Sequence, residues 1–319
     1  MSVINDEAGT VDPTVEPAVD PAVDPALGKP RIVDNLYELL SRSRDGLMDV
    51  IWEQQRFHEH RRWSAVEFLG AVDTRSLGEN DRTYVWNFGR AELTTKPGAD
   101  RLARLSDSEC RKWVGKDDVL ASVLQACGTW SRYWNEEEAH HESVLTHLSR
   151  MLSCEPIRDD VVIRYREIFG DDDMLRTLFL LAISEINATV FYTSMASKVK
   201  DEGLRALFRR IATDEMHHMR YFVSFARALV DSGKYSPRSV LAVAHLFVRP
   251  GGELYGSARD RVEDRRHINW WDHLEFKGAE RPDDHDRQRK LIFAFVEDVT
   301  SIAVNSAEEV EDRWLEMVG

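Results

Sequence analysis

The sequence has few cysteines, no glycine-rich nucleotide motif and no long apolar run. Its three cysteines, Cys110, Cys127 and Cys154, include no Cys-x-x-Cys pair, so neither a disulfide framework nor a thiolate zinc site is expected. The longest apolar runs, such as 178–183, are too short to span a membrane, and no Gly-x-Gly-x-x-Gly follows an apolar strand. The sequence therefore predicts inert thiols in a cytoplasmic protein without a membrane span or a dinucleotide site.

Positive charge is also scarce. Lys and Arg number 42 against 56 Asp and Glu, which gives a formal net charge of −14. Nucleic-acid-binding proteins normally show the opposite balance, so no nucleic-acid partner is expected. Arginine-rich stretches such as 61–62 and 209–210 are interpreted as solvated helix faces, although they could supply a local basic patch for an acidic carrier protein.

What the chain contains is helical periodicity. Residues 1–30 are rich in Pro and Asp, with Pro at 13, 17, 21 and 25, and we expect a disordered tail there. Residues 31–319 are interpreted as one helical domain. Long apolar-periodic segments joined by short turns predict an all-α bundle. The predicted helices cover 32–57, 62–73, 80–107 with an interruption at Pro97-Gly98, 117–152, 172–200, 203–231 and 285–317.

Two Glu-x-x-His motifs carry the chemistry, Glu138 with His141 and Glu215 with His218. Residues three apart share one helix face, so the carboxylate and the imidazole can reach the same metal ion. Two such helices facing each other can hold a pair of ions, as in four-helix di-iron carboxylate proteins. The neighbouring His140 and His217 point roughly 100° away and are not expected to be ligands.

Two further carboxylates complete the predicted site. Glu185 lies in an apolar segment, where an unpaired charge is costly, and the turn near Gly203 returns the chain so that Glu215 is level with it. Glu92 is placed level with Glu138 in the same way, with Glu67 or Glu109 as alternatives. The predicted ligands are four carboxylates and two imidazoles, which favour iron or manganese over structural zinc: Glu92, Glu138, His141, Glu185, Glu215 and His218.

Each predicted ligand histidine needs a partner for its second ring nitrogen. Glu137 directly precedes Glu138, and Asp214 directly precedes Glu215. We expect each of these carboxylates to accept a hydrogen bond from the histidine of the opposite helix.

The two motifs resemble those of the soluble acyl-carrier-protein desaturases, a ferritin-like di-iron family. Residues 134–141 are similar to the family's Trp-x-x-Glu-Glu-x-x-His, and residues 214–218 to its Asp-Glu-x-x-His. Glu92 followed by Pro97 resembles the first-helix Glu with a proline a turn later, and 249–256 resembles a Pro-containing segment after the fourth bundle helix. The resemblance covers about residues 80–280 and is specific at the two metal motifs.

The resemblance implies a ferritin-like four-helix bundle with additional flanking helices and a di-iron centre. It further implies an oxygen-dependent oxidase that removes hydrogen from an acyl chain bound to acyl carrier protein. The electrons would come from a ferredoxin-type donor, and family members are often homodimers. An acyl substrate needs a hydrophobic tunnel, and five aromatic residues either line it or form core: Trp130, Trp134, Phe179, Phe191 and Tyr192.

Other functions remain open because the chain departs from the family. The family's Thr three residues after the third-helix Glu is replaced by Ala188, with Thr189 one position further. The alternatives are a tailoring oxygenase, acting as hydroxylase or arylamine N-oxygenase, and a non-catalytic ferritin-like metal-binding protein. The N-oxygenase family carries a His four residues before the last Glu, where this chain has Ile211, which counts against it.

Overall fold

The computed structural model describes residues 30–43, 45–93, 95–156, 172–248 and 284–317. All regular secondary structure in these ranges is helical, which confirms the predicted all-α class. The helices are α1 (Leu36–Arg42), α2 (Gly46–His60), α3 (Ala65–Ala71), α4 (Glu79–Glu92), α5 (Thr95–Trp113), α6 (Asp118–Met151), α7 (Met174–Lys198), α8 (Glu202–Asp231), α9 (Pro237–Val248), α10 (Asp284–Thr300) and α11 (Ala307–Glu316).

The long helices form a ferritin-like four-helix bundle. Two consecutive helices, α4 and α5, together take the place of the first bundle helix, and both pack against α6. Helix α6 packs against α8, α8 against α7, and α7 against α5, which closes the bundle. Around it, α1, α2 and α3 lie against α6 or α8, α9 and α10 lie against α7, and α11 lies against α9.

Aspartate caps fix where the three longest helices begin. The side chains of Asp117, Asp173 and Asp201 each accept a hydrogen bond from the backbone N–H three residues later, at the starts of α6, α7 and α8. Such a cap satisfies an N–H that has no partner within the helix and contributes about 1 kcal/mol. Because these starts are fixed, the acidic residues further along each helix meet at one level.

Gly203 allows a close approach at the turn between α7 and α8. A Cβ atom at this position would lie 2.1 Å from the carbonyl oxygen of Ala71, at the end of α3. Only glycine fits there, and its presence lets the start of α8 lie directly against the end of α3.

Two apolar clusters fill the bundle, one on each side of a polar layer. The first contains Trp134, Ile183 and Phe222, and the second contains Val144 and Ile211. Helix α7 runs through both clusters. It is long and apolar enough to cross a membrane, but 72% of its most apolar window is buried inside the bundle, as in the core helix of a soluble protein.

Three predicted helix boundaries were wrong. The segment 32–57 forms two helices, because Ser43 adopts an extended conformation between α1 and α2. The interruption in 80–107 lies between the end of α4 at Glu92 and the start of α5 at Thr95, rather than at Pro97-Gly98. Pro97 is the third residue of α5, where a missing N–H breaks no helical bond.

The segment 285–317 is also two helices. Ser301 has a positive φ of 60° after α10, and Ser306 caps α11 by accepting from the backbone N–H of Glu309. Helix α9, which begins at Pro237, was not predicted. The predicted tail up to residue 29 and the segment 249–256 lie outside the described residues.

Candidate metal centre

The structure brings the six predicted ligand residues together in the polar layer, and we call them the inner cluster. Each is at most 6% exposed. Their ligand atoms form two groups, and the atoms of each group lie within 4.8 Å of one another. Glu138 and Glu215 belong to both groups, whereas Glu92 and His141 complete the first and Glu185 and His218 complete the second.

The alternatives to Glu92 lie outside both groups. Glu67 is exposed on α3, and Glu109 accepts a hydrogen bond from the hydroxyl of Tyr235. Glu92 is the last residue of α4, so the break before α5 follows it directly.

Both histidines turn Nδ1 toward the carboxylates. Nδ1 of His218 lies 2.9 Å from Glu138 Oε1 and 3.1 Å from Glu215 Oε2. Nδ1 of His141 lies 3.4 Å from Glu215 Oε1 and 3.5 Å from Glu138 Oε2, and it is buried without a hydrogen-bond partner in the described part of the chain. A buried ring nitrogen without a hydrogen bond, facing carboxylates, is the environment of a metal ligand.

The opposite ring nitrogens face two outer carboxylates, Glu137 and Asp214. Nε2 of His218 lies 2.8 Å from Glu137 Oε2, and Nε2 of His141 lies 3.4 Å from Asp214 Oδ2. Each contact joins a histidine of one motif helix to the carboxylate of the other. A carboxylate acceptor on Nε2 holds the proton there, which leaves the lone pair of Nδ1 directed into the inner cluster.

Two arginines neutralise the outer carboxylates. Nη2 of Arg61 donates to Glu137 Oε2 at 3.0 Å and to Asp214 Oδ1 at 2.5 Å, and Nη2 of Arg210 donates to Asp214 Oδ1 at 2.8 Å. The interpretation of residues 61–62 as a solvated face was therefore wrong for Arg61, whose side chain is 8% exposed. It was right for Arg62, which is 58% exposed and pairs with Glu136.

Three further side chains contact carboxylates of the inner cluster. Tyr192 donates its hydroxyl to Glu92 Oε1, and Trp134 donates Nε1 to Glu138 Oε1 at 3.1 Å. Thr95 Oγ1 lies 3.4 Å from Glu138 Oε2. The position of Trp134, one helical turn before Glu138, is the one signal in the sequence that could have identified any of these contacts.

Two further residues contact the outer carboxylates. Trp63 donates Nε1 to Asp214 Oδ2 at 2.8 Å, and Nδ1 of His58 lies 2.7 Å from Glu137 Oε1. Both residues come from the chain around the end of α2, so their proximity depends on how the flanking helices pack.

Burial and like charges dominate the electrostatics of the inner cluster. Burial, together with the charges of Glu138 and Glu215, raises the pKa of Glu92 well above its usual value. Burial and Glu215 raise the pKa of Glu185 in the same direction. Four carboxylates at this separation cannot all be ionised without a compensating cation.

The histidine pKa values respond to the same carboxylates. Burial disfavours the charged form of His141 and His218, but the surrounding carboxylates outweigh it and raise the pKa of both well above the usual value. Protons therefore supply the positive charge when no metal is bound, and metal binding must release them.

The outer carboxylates behave oppositely. Burial opposes ionisation of Asp214, but its contact with His141 and the charges of Arg61 and Arg210 lower its pKa to about 2. Burial also opposes ionisation of Glu137, but its contacts with two histidines and the charge of Arg61 hold its pKa well below the usual value. These two anions are balanced by two arginines, so the charge of the four inner carboxylates is left to balance two divalent cations.

The donor set therefore fits two metal ions. Carboxylate oxygens and imidazole nitrogens without thiolate favour iron or manganese. The inner cluster has the composition of di-iron carboxylate bundles, with one Glu from each of two helices and Glu-x-x-His from the other two.

The aromatic residues considered for an acyl tunnel belong to the apolar core. Trp130 stacks on Trp134 with ring centroids 6.1 Å apart, and Phe179 is fully buried. Phe191 and Tyr192 lie in the second apolar cluster. Two surface cavities of about 540 and 690 Å³ in the described part of the chain have other linings, the first around residues 30–42 and the second between α10 and residues 304–308.

Comparison with known proteins yields one match. A family model described as Rubrerythrin matches residues 180–245, which include Glu185, Glu215 and His218. No curated protein and no solved structure matches the chain. The fold, the inner cluster and this match support the class of ferritin-like di-iron carboxylate proteins. They do not distinguish the acyl-carrier-protein desaturases within that class.

Proposed function

We propose that the inner cluster binds two iron ions and that the protein is a dioxygen-dependent oxidase. The observation that carries this proposal is the pair of buried ligand groups that share Glu138 and Glu215. Glu138 and Glu215 would be available to both ions, and each ion would also have one imidazole and one further carboxylate within reach.

In this proposal the protein positions the ligands and excludes water. His141 and His218 present Nδ1 to the ions, and the outer carboxylates hold the protons on Nε2. Trp134 and Tyr192 fix the orientation of the carboxylates they bond. The apolar clusters above and below keep the centre dry. When bound, the irons supply the reaction with dioxygen.

We further propose an acyl chain on acyl carrier protein as the substrate and desaturation as the reaction, in a cytoplasmic homodimer supplied by a ferredoxin-type donor. The support is the resemblance of residues 134–141 to the desaturase motif. Within that motif Trp134 bonds Glu138, which gives the tryptophan a function at the centre.

The second candidate is a tailoring oxygenase. It is favoured by Ala188, which stands where the desaturases have a threonine. The N-oxygenase form is opposed by Ile211, a fully buried apolar residue where that family has a histidine. A metal-binding protein without catalysis is the remaining alternative.

Product analysis distinguishes these candidates. Iron-loaded protein is incubated with acyl-carrier proteins, ferredoxin, reductant and dioxygen, and the acyl chains are analysed by mass spectrometry. Loss of two hydrogens supports desaturation, and gain of one oxygen supports hydroxylation. A parallel incubation replaces the acyl-carrier proteins with a free arylamine, and oxidation of the arylamine alone supports the N-oxygenase. No turnover in either incubation supports the non-catalytic alternative. Glu215→Ala and His218→Ala serve as inactive controls, and turnover by either would refute the ligand assignment.

A further inference from the structure

We infer that Arg61 is the positioning residue that couples the two metal-binding motifs, so that both ions depend on one guanidinium from outside the four-helix bundle. This inference rests on the proposed metal binding. Arg61 follows the last residue of α2, a flanking helix that contributes no residue to the inner cluster.

The coupling is made by a single nitrogen. Nη2 of Arg61 contacts both Glu137, which precedes the ligand Glu138 on α6, and Asp214, which precedes the ligand Glu215 on α8. One atom therefore joins the two helices that carry the Glu-x-x-His motifs. Because both carboxylates contact the same nitrogen, they lie close together, and they would repel each other without it.

Each outer carboxylate in turn orients a different histidine. Glu137 faces Nε2 of His218 and Asp214 faces Nε2 of His141, and these histidines belong to different ligand groups. A displacement of both outer carboxylates therefore disturbs both groups. Loss of such an outer contact typically lowers metal affinity by about 10- to 100-fold.

Arg61 is itself firmly held. Its guanidinium carbon lies 4.9 Å from the ring centroid of Phe57, and its backbone oxygen accepts a hydrogen bond from Arg210 of α8. The side chain is 8% exposed, so solvent screens its ion pairs little. Arg210 reaches only Asp214 of the two outer carboxylates, so it cannot replace Arg61 at Glu137.

Electrostatic repulsion between Arg61 and the metal ions would lower metal affinity, which opposes the positioning effect. A guanidinium near two divalent cations repels them, and its removal alone would raise metal affinity. Nη2 of Arg61 already contacts two carboxylates, however, so the charge of the guanidinium is locally compensated. We therefore expect the lost orientation of both histidines to outweigh the relieved repulsion, so that removal of Arg61 lowers metal affinity.

The test compares Arg61→Ala and Arg61→Lys with Arg62→Ala. Arg62 is the matched control because it is adjacent in sequence, 58% exposed and paired with the exposed Glu136. Ferrous iron is titrated anaerobically into each full-length protein against a competing chelator, and the metal-free proteins are melted by circular dichroism. Arg61→Ala should lose about 10- to 100-fold in affinity for both ions. Arg62→Ala should bind as the wild type.

Arg61→Lys guards against failure of the alanine variant to fold. It keeps a positive charge near the outer carboxylates, but the lysine ammonium is more strongly hydrated and sits on a flexible stem, so Arg61→Lys should lose less affinity than Arg61→Ala while still weakening both ions. A merely structural role would lower the melting temperature of the metal-free protein and leave the affinity of the folded protein unchanged.

The outcomes separate this inference from the proposed function. Wild-type affinity in the folded Arg61 variants, a gain in affinity, or a loss confined to one ion would overturn the inference while leaving the metal centre intact. Failure of the wild type itself to bind iron would instead reject the proposed function.

Discussion

The two ligand groups predict that Glu185→Gln weakens one ion and Glu215→Gln weakens both, because Glu185 belongs to one group and Glu215 to both. At a free metal concentration about 1,000-fold above Kd, each ion stabilises the fold by about 4.1 kcal/mol, and a 100-fold loss of affinity lowers this to about 1.4 kcal/mol. At roughly 1.5 °C per kcal/mol for a chain of this length, Glu185→Gln should lower the metal-induced rise in Tm by about 4 °C. Glu215→Gln should lower it by about twice as much.

Thermal melts with and without ferrous iron, under anaerobic conditions, measure these shifts. Without metal, Glu185→Gln should raise Tm, because burial and the repulsion from Glu215 already raise the pKa of this carboxyl and disfavour its charge. Glu67→Gln is the control, since Glu67 is exposed on α3 and outside both groups. Equal losses in the Glu185 and Glu215 variants, or an unchanged metal shift in both, would refute the shared-carboxylate arrangement.

Three further predictions concern packing, thiols and protons. Gly203→Ala should destabilise the fold by about 1–3 kcal/mol in denaturant titrations, because its Cβ has no space, whereas Gly70→Ala, with open space around it, should be neutral or stabilising. Cys127 should react with a thiol reagent only after unfolding, since burial raises its pKa to about 12; rapid labelling of the native protein would contradict this. His141 and His218 stabilise the metal-free fold while protonated, so its Tm should fall as pH rises through their raised pKa values, and a rising Tm would contradict the assignment.

Much of the centre was predictable because helical geometry is local. The spacing of Glu138 to His141 and of Glu215 to His218 places each pair on one face whatever surrounds the helix. Glu185 followed from counting residues through a single short turn, and Gly203 at that turn is visible in the sequence. These inferences needed only rise per residue and turn length.

The surrounding contacts were not predictable in this way. Arg61 and Tyr192 reach the centre across 76 and 100 residues of sequence, so their contacts depend on the packing of whole helices. The helix boundaries were partly predictable from the sequence. Ser306 with Glu309 three residues later is a recognisable cap signal for α11, and Pro237 is a recognisable helix start.

The central claim is that one buried cluster of four carboxylates and two histidines would hold two metal ions. Anaerobic titration with ferrous iron, counting the ions bound per chain, tests it most directly. The two ligand groups predict two ions per chain, with Glu215→Gln weakening both together. A stoichiometry of one ion or none would contradict the account.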